Sequence, residues 1–290
     1  MRYQFISDHR DDFPIVRMCS VLGVLKSGYY AWRKRPVSAR EMANRGLIER
    51  IREVHQASQE TYGSPRIYRE LREHGLSCSE NRVARLMKKH SIQAKSRRTY
   101  KVTTKRKKSH PLAPNLLDRR FQAQKPDQVW LSDITYIPTR EGWLYLAAVL
   151  DMCSRRIVGW AMSERITSGL TCQALQMGLQ QRRPNAGLIH HSDQGAQYTA
   201  GRYRALLTSN GIRASMNAAG SCYDNAPMES FFGRLKSELV HHCIYRTRLE
   251  ARASIFAYIE GFYNRRRRHS ALDYLSPVAF EQLLLGANGA

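Results

Sequence analysis

Three carboxylates in the second half of the chain stand where an acid needs a reason. Asp133 interrupts the otherwise apolar stretch VWLSDITYIPT. An unpaired carboxylate inside such a strand costs several kcal/mol. Asp193 closes the short apolar run GLIHHSD and precedes Gln194-Gly195, a turn pair. Glu229 falls in the first turn of a helix opened by Asp224-Asn225-Ala226-Pro227. Gathering like charges is costly unless cations offset them. Oxygen ligands with open positions suit Mg²⁺ or Mn²⁺. Three carboxylates at adjacent strand and helix ends can hold two such ions about 4 Å apart, the arrangement used for in-line phosphoryl displacement. Each acid alone also fits a plainer role. Asp193 suits a turn, and Glu229 suits the positive end of a helix dipole. Asp151, at the end of LAAVLDM, competes for the first position and reads better as structural.

The surrounding pattern supplies elements that could position these groups. VWLSDITYIPT, GWLYLAAVLDM and RRIVGWAMS read as three strands, with turns at Glu141-Gly142 and from Cys153 to Arg155. TSGLTCQALQMGLQQRR is an amphipathic helix capped by Thr167 or Ser168, GLIHHSD a fourth strand, and TAGRYRALLTSNG a helix stopped by Gly211. IRASM is a fifth strand and NAPMESFFGRLKSELV the helix that carries Glu229. A strand meander followed by alternating helix and strand predicts an α/β domain over 126–242, with a mixed five-stranded sheet and flanking helices. Residues 243–290 read as a helical extension containing LEARASIFAYIEGFYNRRRR as one long helix. His190 and His191 read as hydrogen-bonding or packing residues, and Trp130, Tyr136, Trp143, Tyr145 and Trp160 as core or sheet face.

The leading half differs in charge. The chain has 290 residues and a formal charge of +23, with 47 Lys and Arg against 24 Asp and Glu. Residues 1–125 hold 29 of the basic groups and 11 of the acids. No acid occurs from Lys95 to Lys108, a run that includes Arg97, Arg98, Lys105, Arg106, Lys107 and Lys108. Such a run fits a polyanion partner. Residues 1–44 show no period. From 45 to 99 the pattern is helical, and Pro65, Gly75 and Ser77 or Ser79 punctuate it like a helix-turn-helix. Arg82, Arg85, Lys88 and Lys89 lie on the outer face of its last helix, as for DNA contact. Residues 100–125 form a basic linker. Arg267 and Arg268, in the run Arg265–Arg268 before His269, are expected to meet phosphates. No apolar run approaches a membrane span. The six cysteines are scattered, which fits a reducing cytosol rather than a disulfide framework.

The segments WLSDITY, HSDQGAQY and DNAPMESFFGRLK together resemble the DDE catalytic core of insertion-sequence transposases, which are related to retroviral integrases. The likeness is nearest the second-reading-frame (OrfB-type) product of the IS-three family. Asp193 and Glu229 have 35 residues between them, the family's gap, and Lys236 follows Glu229 by seven. YNRRRRHSALDYLSP, YGSPRIYRELREHG and the N-terminal YQFISDHRDDFPIVRMCSVLGVLKSGYYAWRKRP resemble the same family. The resemblance implies an RNase H-like core in which Asp133, Asp193 and Glu229 hold two Mg²⁺ or Mn²⁺ ions and Lys236 grips a phosphate near the cut. It further implies strand cleavage at element ends, then strand transfer. The partners implied are double-stranded DNA, other copies of the chain on that DNA, and an upstream-frame product fused by frameshifting, in a bacterial cytoplasm at the nucleoid. A nuclease that cuts without joining, and an inert DNA-binding regulator, share much of this pattern.

Overall fold

The computed structural model describes residues 1–95, 113–117, 123–216 and 225–287. The chain opens with three short helices, α1 (Arg2–Asp8), α2 (Ile15–Val21) and α3 (Lys26–Lys34). They enclose a small core of Ile6, Met18, Cys19 and Tyr29, flanked by Tyr3 and Trp32. Each helix buries only one or two residues, so no apolar period marks this region in the sequence.

Three further helices follow: α4 (Ala39–Ala57), α5 (Ser64–Glu73) and α6 (Glu80–Lys89). α4 starts six residues before the expected position 45. Its first turns are polar, but the Ser38 side chain accepts a hydrogen bond from the Glu41 amide and fixes the start. α5 is capped by Gly63, with Ser64 already inside the helix and Pro65 in its first turn, one step earlier than the sequence pattern suggests. Ser79 caps α6 through the Arg82 amide. Ile51, Ile67, Leu71, Val83 and Met87 meet between these helices.

The second half is a five-stranded sheet. β1 (Val129–Thr139), β2 (Gly142–Asp151) and β3 (Ile157–Ser163) form an antiparallel meander. Helix α7 (Ser168–Arg182), capped by Thr167, crosses over to β4 (Ile189–Ser192), which pairs parallel with β1. The turn α8 (Ala196–Thr199) and helix α9 (Gly201–Ser209) lead to β5 (Arg213–Met216), parallel to β4. The order is β3-β2-β1-β4-β5. Helices then cover the other face: α10 (Ala226–Glu238), α11 (Arg248–Phe256) and α12 (Pro277–Ala287).

Strand alternation sorts the core into two layers. Trp130, Ala147, Val149 and Val158 face α7 and α9. Leu131, Ile137, Leu144, Leu146 and Leu150 face α10 and α11. β3 and α7 approach so closely that a Cβ on Gly159 would meet the Ala174 carbonyl and lie 2.7 Å from the Gly178 nitrogen. Only a glycine on the strand admits that contact.

α11 does not continue as the single long helix expected. From Ala257 to Tyr263 it widens to π-helical pairing. The wider turn puts Tyr258, Ile259, Phe262 and Tyr263 together in the core. Among the described residues no helix is long and apolar enough to cross a membrane.

Candidate active site

β1 and β4 pair in register as Val129 with Ile189, Trp130 with His190 and Leu131 with His191. Two steps further along both strands, where β4 ends, Asp133 comes beside Asp193. Asp193 stands one residue past the end of β4, so the register makes the two acids neighbours along adjacent backbones. Leu131, two residues before Asp133, packs in the layer under α10. Asp133 therefore belongs to the α10 face. Its Oδ1 accepts from the Ile134 amide at 2.8 Å. Asp193 is buried, and its Oδ1 accepts from the Gly195 amide at 2.8 Å. The nearby Tyr198 phenol feels both acids. Burial raises it well above its usual range, and the charges of Asp133 and Asp193 push the same way.

Glu229 lies in the first turn of α10 and is exposed. Met228, Phe231, Phe232 and Leu235 anchor that helix to the sheet. Among the described residues, no three His, Cys, Asp or Glu side chains converge as a metal-ligand set. The register thus sets the backbones of Asp133 and Asp193 side by side, and Glu229 is carried by the helix that packs on the same face as Leu131. Asp224, read as opening this helix, falls outside the described residues. The Lys236 ammonium sits 4.5 Å from the Tyr136 ring centre, and Tyr136 meets Trp143 edge-on at 5.0 Å. Both rings are exposed on the sheet face, whereas Trp130 is fully buried.

The chain matches two models described as "Integrase core domain", over residues 123–222 and 229–285, and one described as "HTH-like domain" over residues 42–100. A 31 kDa protein of insertion element IS600 from Shigella sonnei is 47% identical over 265 residues, covering 91% of this chain and 97% of that protein. Transposase InsF of insertion sequence IS3A from Escherichia coli K12 is 42% identical over 283 residues, covering 97% and 98%. The chain belongs to this family of insertion-sequence transposases. Among solved structures, the HTLV-2 integrase catalytic core domain in complex with magnesium (trimeric form) aligns with a TM-score of 0.44 and 14% identity, over 55% of this chain and 99% of that one.

In the transposase the remaining candidates separate by environment. Asp151 is fully buried and accepts from the Asp127 amide, the Ser154 amide and the Ser154 hydroxyl, so it holds the β2–β3 turn. His190 pairs with the Tyr203 hydroxyl and His191 with the Ser215 hydroxyl. Burial, with His191 adjacent, pushes the His190 imidazole down to about 3, so that ring is neutral at pH 7. Arg85, Lys88 and Lys89 are exposed on α6, while Arg82 donates to Asn44 on α4. Arg97, Arg98, Lys105, Arg106, Lys107 and Lys108 lie outside the described residues.

The expectation for Arg267 and Arg268 is corrected. The transposase buries both. Arg267 forks onto Glu238 at the end of α10, which also accepts from the Tyr258 hydroxyl. Arg268 pairs with Glu70 and Glu73 of α5. A run of four arginines reads as one solvated patch, but the acids that bury two of them come from distant helices. Two basic residues on the cleft beside α10, Arg66 and Arg234, were not singled out from the sequence. Both lie inside segments that resemble the family, YGSPRIYRELREHG and DNAPMESFFGRLK, but nothing in their spacing sets either one on a cleft.

Proposed function

We propose that this transposase cleaves one DNA strand at the ends of an insertion sequence and transfers the freed 3′-hydroxyl to target DNA. Asp133, Asp193 and Glu229 hold two divalent cations, Mg²⁺ or Mn²⁺, for that reaction. What supports the reading is the register of β1 and β4, which carries Asp193, one residue past the end of β4, alongside Asp133 on the face covered by the helix of Glu229. The donor set fits hard cations: it is all oxygen, and two of its residues already stand on neighbouring backbones. A third like charge is repelled until cations offset it. Glu229 stands between the anchoring Met228 and Phe231, so its exposed side chain reaches toward the pair by its own rotation.

When bound, the cations supply Lewis-acid stabilisation of charge growing on the phosphoryl oxygens. The chain's own part is positioning. The Gly195 amide orients Asp193, and the α10 anchor fixes the height of Glu229. Lys236 holds a phosphate beside the cut, with its ammonium steadied over Tyr136. Arg85, Lys88 and Lys89 bind backbone phosphates of duplex DNA, and the basic residues before 109 extend that contact. Joining needs two element ends at one target, so the acting form is a complex of copies on DNA. An upstream-frame product supplies further end recognition.

The test is an assay with a duplex carrying an element end, supercoiled plasmid target and Mg²⁺. The expected result is a nick at the 3′ end and covalent joining of that strand to plasmid. Nicking without any joined product would support a nuclease instead. DNA binding with neither step would support an inert regulator.

A further inference from the structure

A cleft of about 440 Å³ opens between α5 and α10, with Gly63, Arg66, Lys95, Ser230, Gly233 and Arg234 on its walls. Its charge is out of balance. The one acid on its wall, Glu238, is already forked by Arg267. Among the described residues, neither Arg66 nor Arg234 makes an ion pair. The Arg66 Nε donates to the Arg268 carbonyl and its guanidinium lies over the Tyr62 ring, with Glu238, shared with Arg267, as the acid acting on it. Burial lowers both guanidinium pKa values, and the neighbouring Arg267 pushes each the same way. Arg155, on the β2–β3 turn, adds repulsion at Arg234.

Two further observations point to an anion. The N-terminus of α5 opens on the same cleft, and its Gly63 cap provides no side-chain acceptor for the first amides. His269 is buried, and its Nε2 has no hydrogen-bond partner among the described residues. The charges of Arg267, Arg234, Arg66 and Arg155 all act on that ring, after burial, to lower its pKa. Cations crowded this way, with a single spent acid, are arranged for an anion arriving from outside.

We propose that Arg66 and Arg234, with the α5 N-terminus, bind a backbone phosphate of the DNA strand that passes Glu229. Arg234 follows Glu229 by five residues, about 7.5 Å along the helix axis. It also lies about 140° around the axis, so a strand held at the acids reaches the cleft by passing across α10. The HTH-like helices and the catalytic helix then grip one strand from two sides, which couples DNA capture to placement of the scissile bond. The site rests on the transposase reading only in naming DNA as the source of the phosphate.

The test uses the full chain without divalent ions, so its outcome is separate from that of the catalytic acids. Duplex affinity is measured by fluorescence anisotropy over a salt series for wild type and for Arg66→Gln/Arg234→Gln. Loss of one phosphate contact is expected to lower the slope of log affinity against log salt by about 0.9. Arg234→Lys, which keeps the charge, is expected to retain the slope. If the double variant fails to fold, Arg234→Gln alone carries the test with the same expected fall. Inorganic phosphate is the second probe, read by thermal shift. An unchanged slope in a folded Gln variant overturns the proposal. Stabilisation of wild type by inorganic phosphate with an unchanged duplex slope also overturns it, by assigning the cleft to free phosphate.

Discussion

Asp193→Ala is expected to lower both strand cleavage and strand joining by at least about 10³-fold, with duplex affinity within about twofold of wild type. The two effects separate because the side chain has one task. Its carboxylate is buried, held by the Gly195 amide and placed beside Asp133. Its removal takes negative charge away from a polyanion's path. Asp193→Asn makes the sharper variant. It keeps an oxygen for the Gly195 amide, so the turn survives while the charge is lost. Asp151→Ala is the control. Asp151 accepts from two amides and the Ser154 hydroxyl in the core; the hydroxyl can turn to Glu281, so its loss leaves two backbone donors unsatisfied and lowers stability. A side-by-side measurement of thermal midpoint, duplex affinity and joined product separates the two acids. Retained Mg²⁺-dependent joining in Asp193→Asn would falsify its assignment.

Arg267→Ala is expected to cost about 3–5 kcal/mol of folding stability, because it strands the Glu238 carboxylate in the core. Glu238 then keeps only the Tyr258 hydroxyl as a partner. The double change Arg267→Met/Glu238→Leu removes both charges and fills their space with apolar atoms. It is expected to recover most of the loss, since a buried pair contributes little beyond its own desolvation. Urea unfolding of the two variants and wild type measures this directly. A surface phosphate contact behaves oppositely: stability unchanged, duplex affinity reduced. The pair matters for function through geometry. Glu238 ends the helix that carries Glu229, and Arg268, the next residue, clamps α5 through Glu70 and Glu73. Adjacent arginines thus tie the catalytic helix to the HTH-like helices.

What could be read from the chain alone follows from the range of the forces involved. Strand alternation is local, so the meander of β1 to β3 was visible, with Asp133 as the one acid in a strand interior. The Thr167 cap and the stop at Gly211 are local too. The spacing of Asp193, Glu229 and Lys236 was plain because a fixed gap reports a fixed crossover. The first three helices were hidden because each gives only one or two side chains to their core. The fate of Arg265 to Arg268 was hidden for another reason. Four identical side chains in a row carry no label, yet Arg265 and Arg266 reach solvent while Arg267 and Arg268 find acids on α10 and α5. The cleft of Arg66 and Arg234 joins helices more than 160 positions apart, and only the fold reveals it.

Among the described residues the three acids do not form a ligand cluster as they stand, so the decisive measurement must report all three positions at once. With Fe²⁺ in place of Mg²⁺ on the DNA-bound protein, ascorbate and peroxide generate hydroxyl radicals at the ion, which cut the nearest backbone. Mapping the fragments is expected to give cuts beside residues 133, 193 and 229 together, all suppressed by excess Mg²⁺. Cuts confined to 133 and 193, with the backbone at 229 intact, would contradict a site built from three carboxylates.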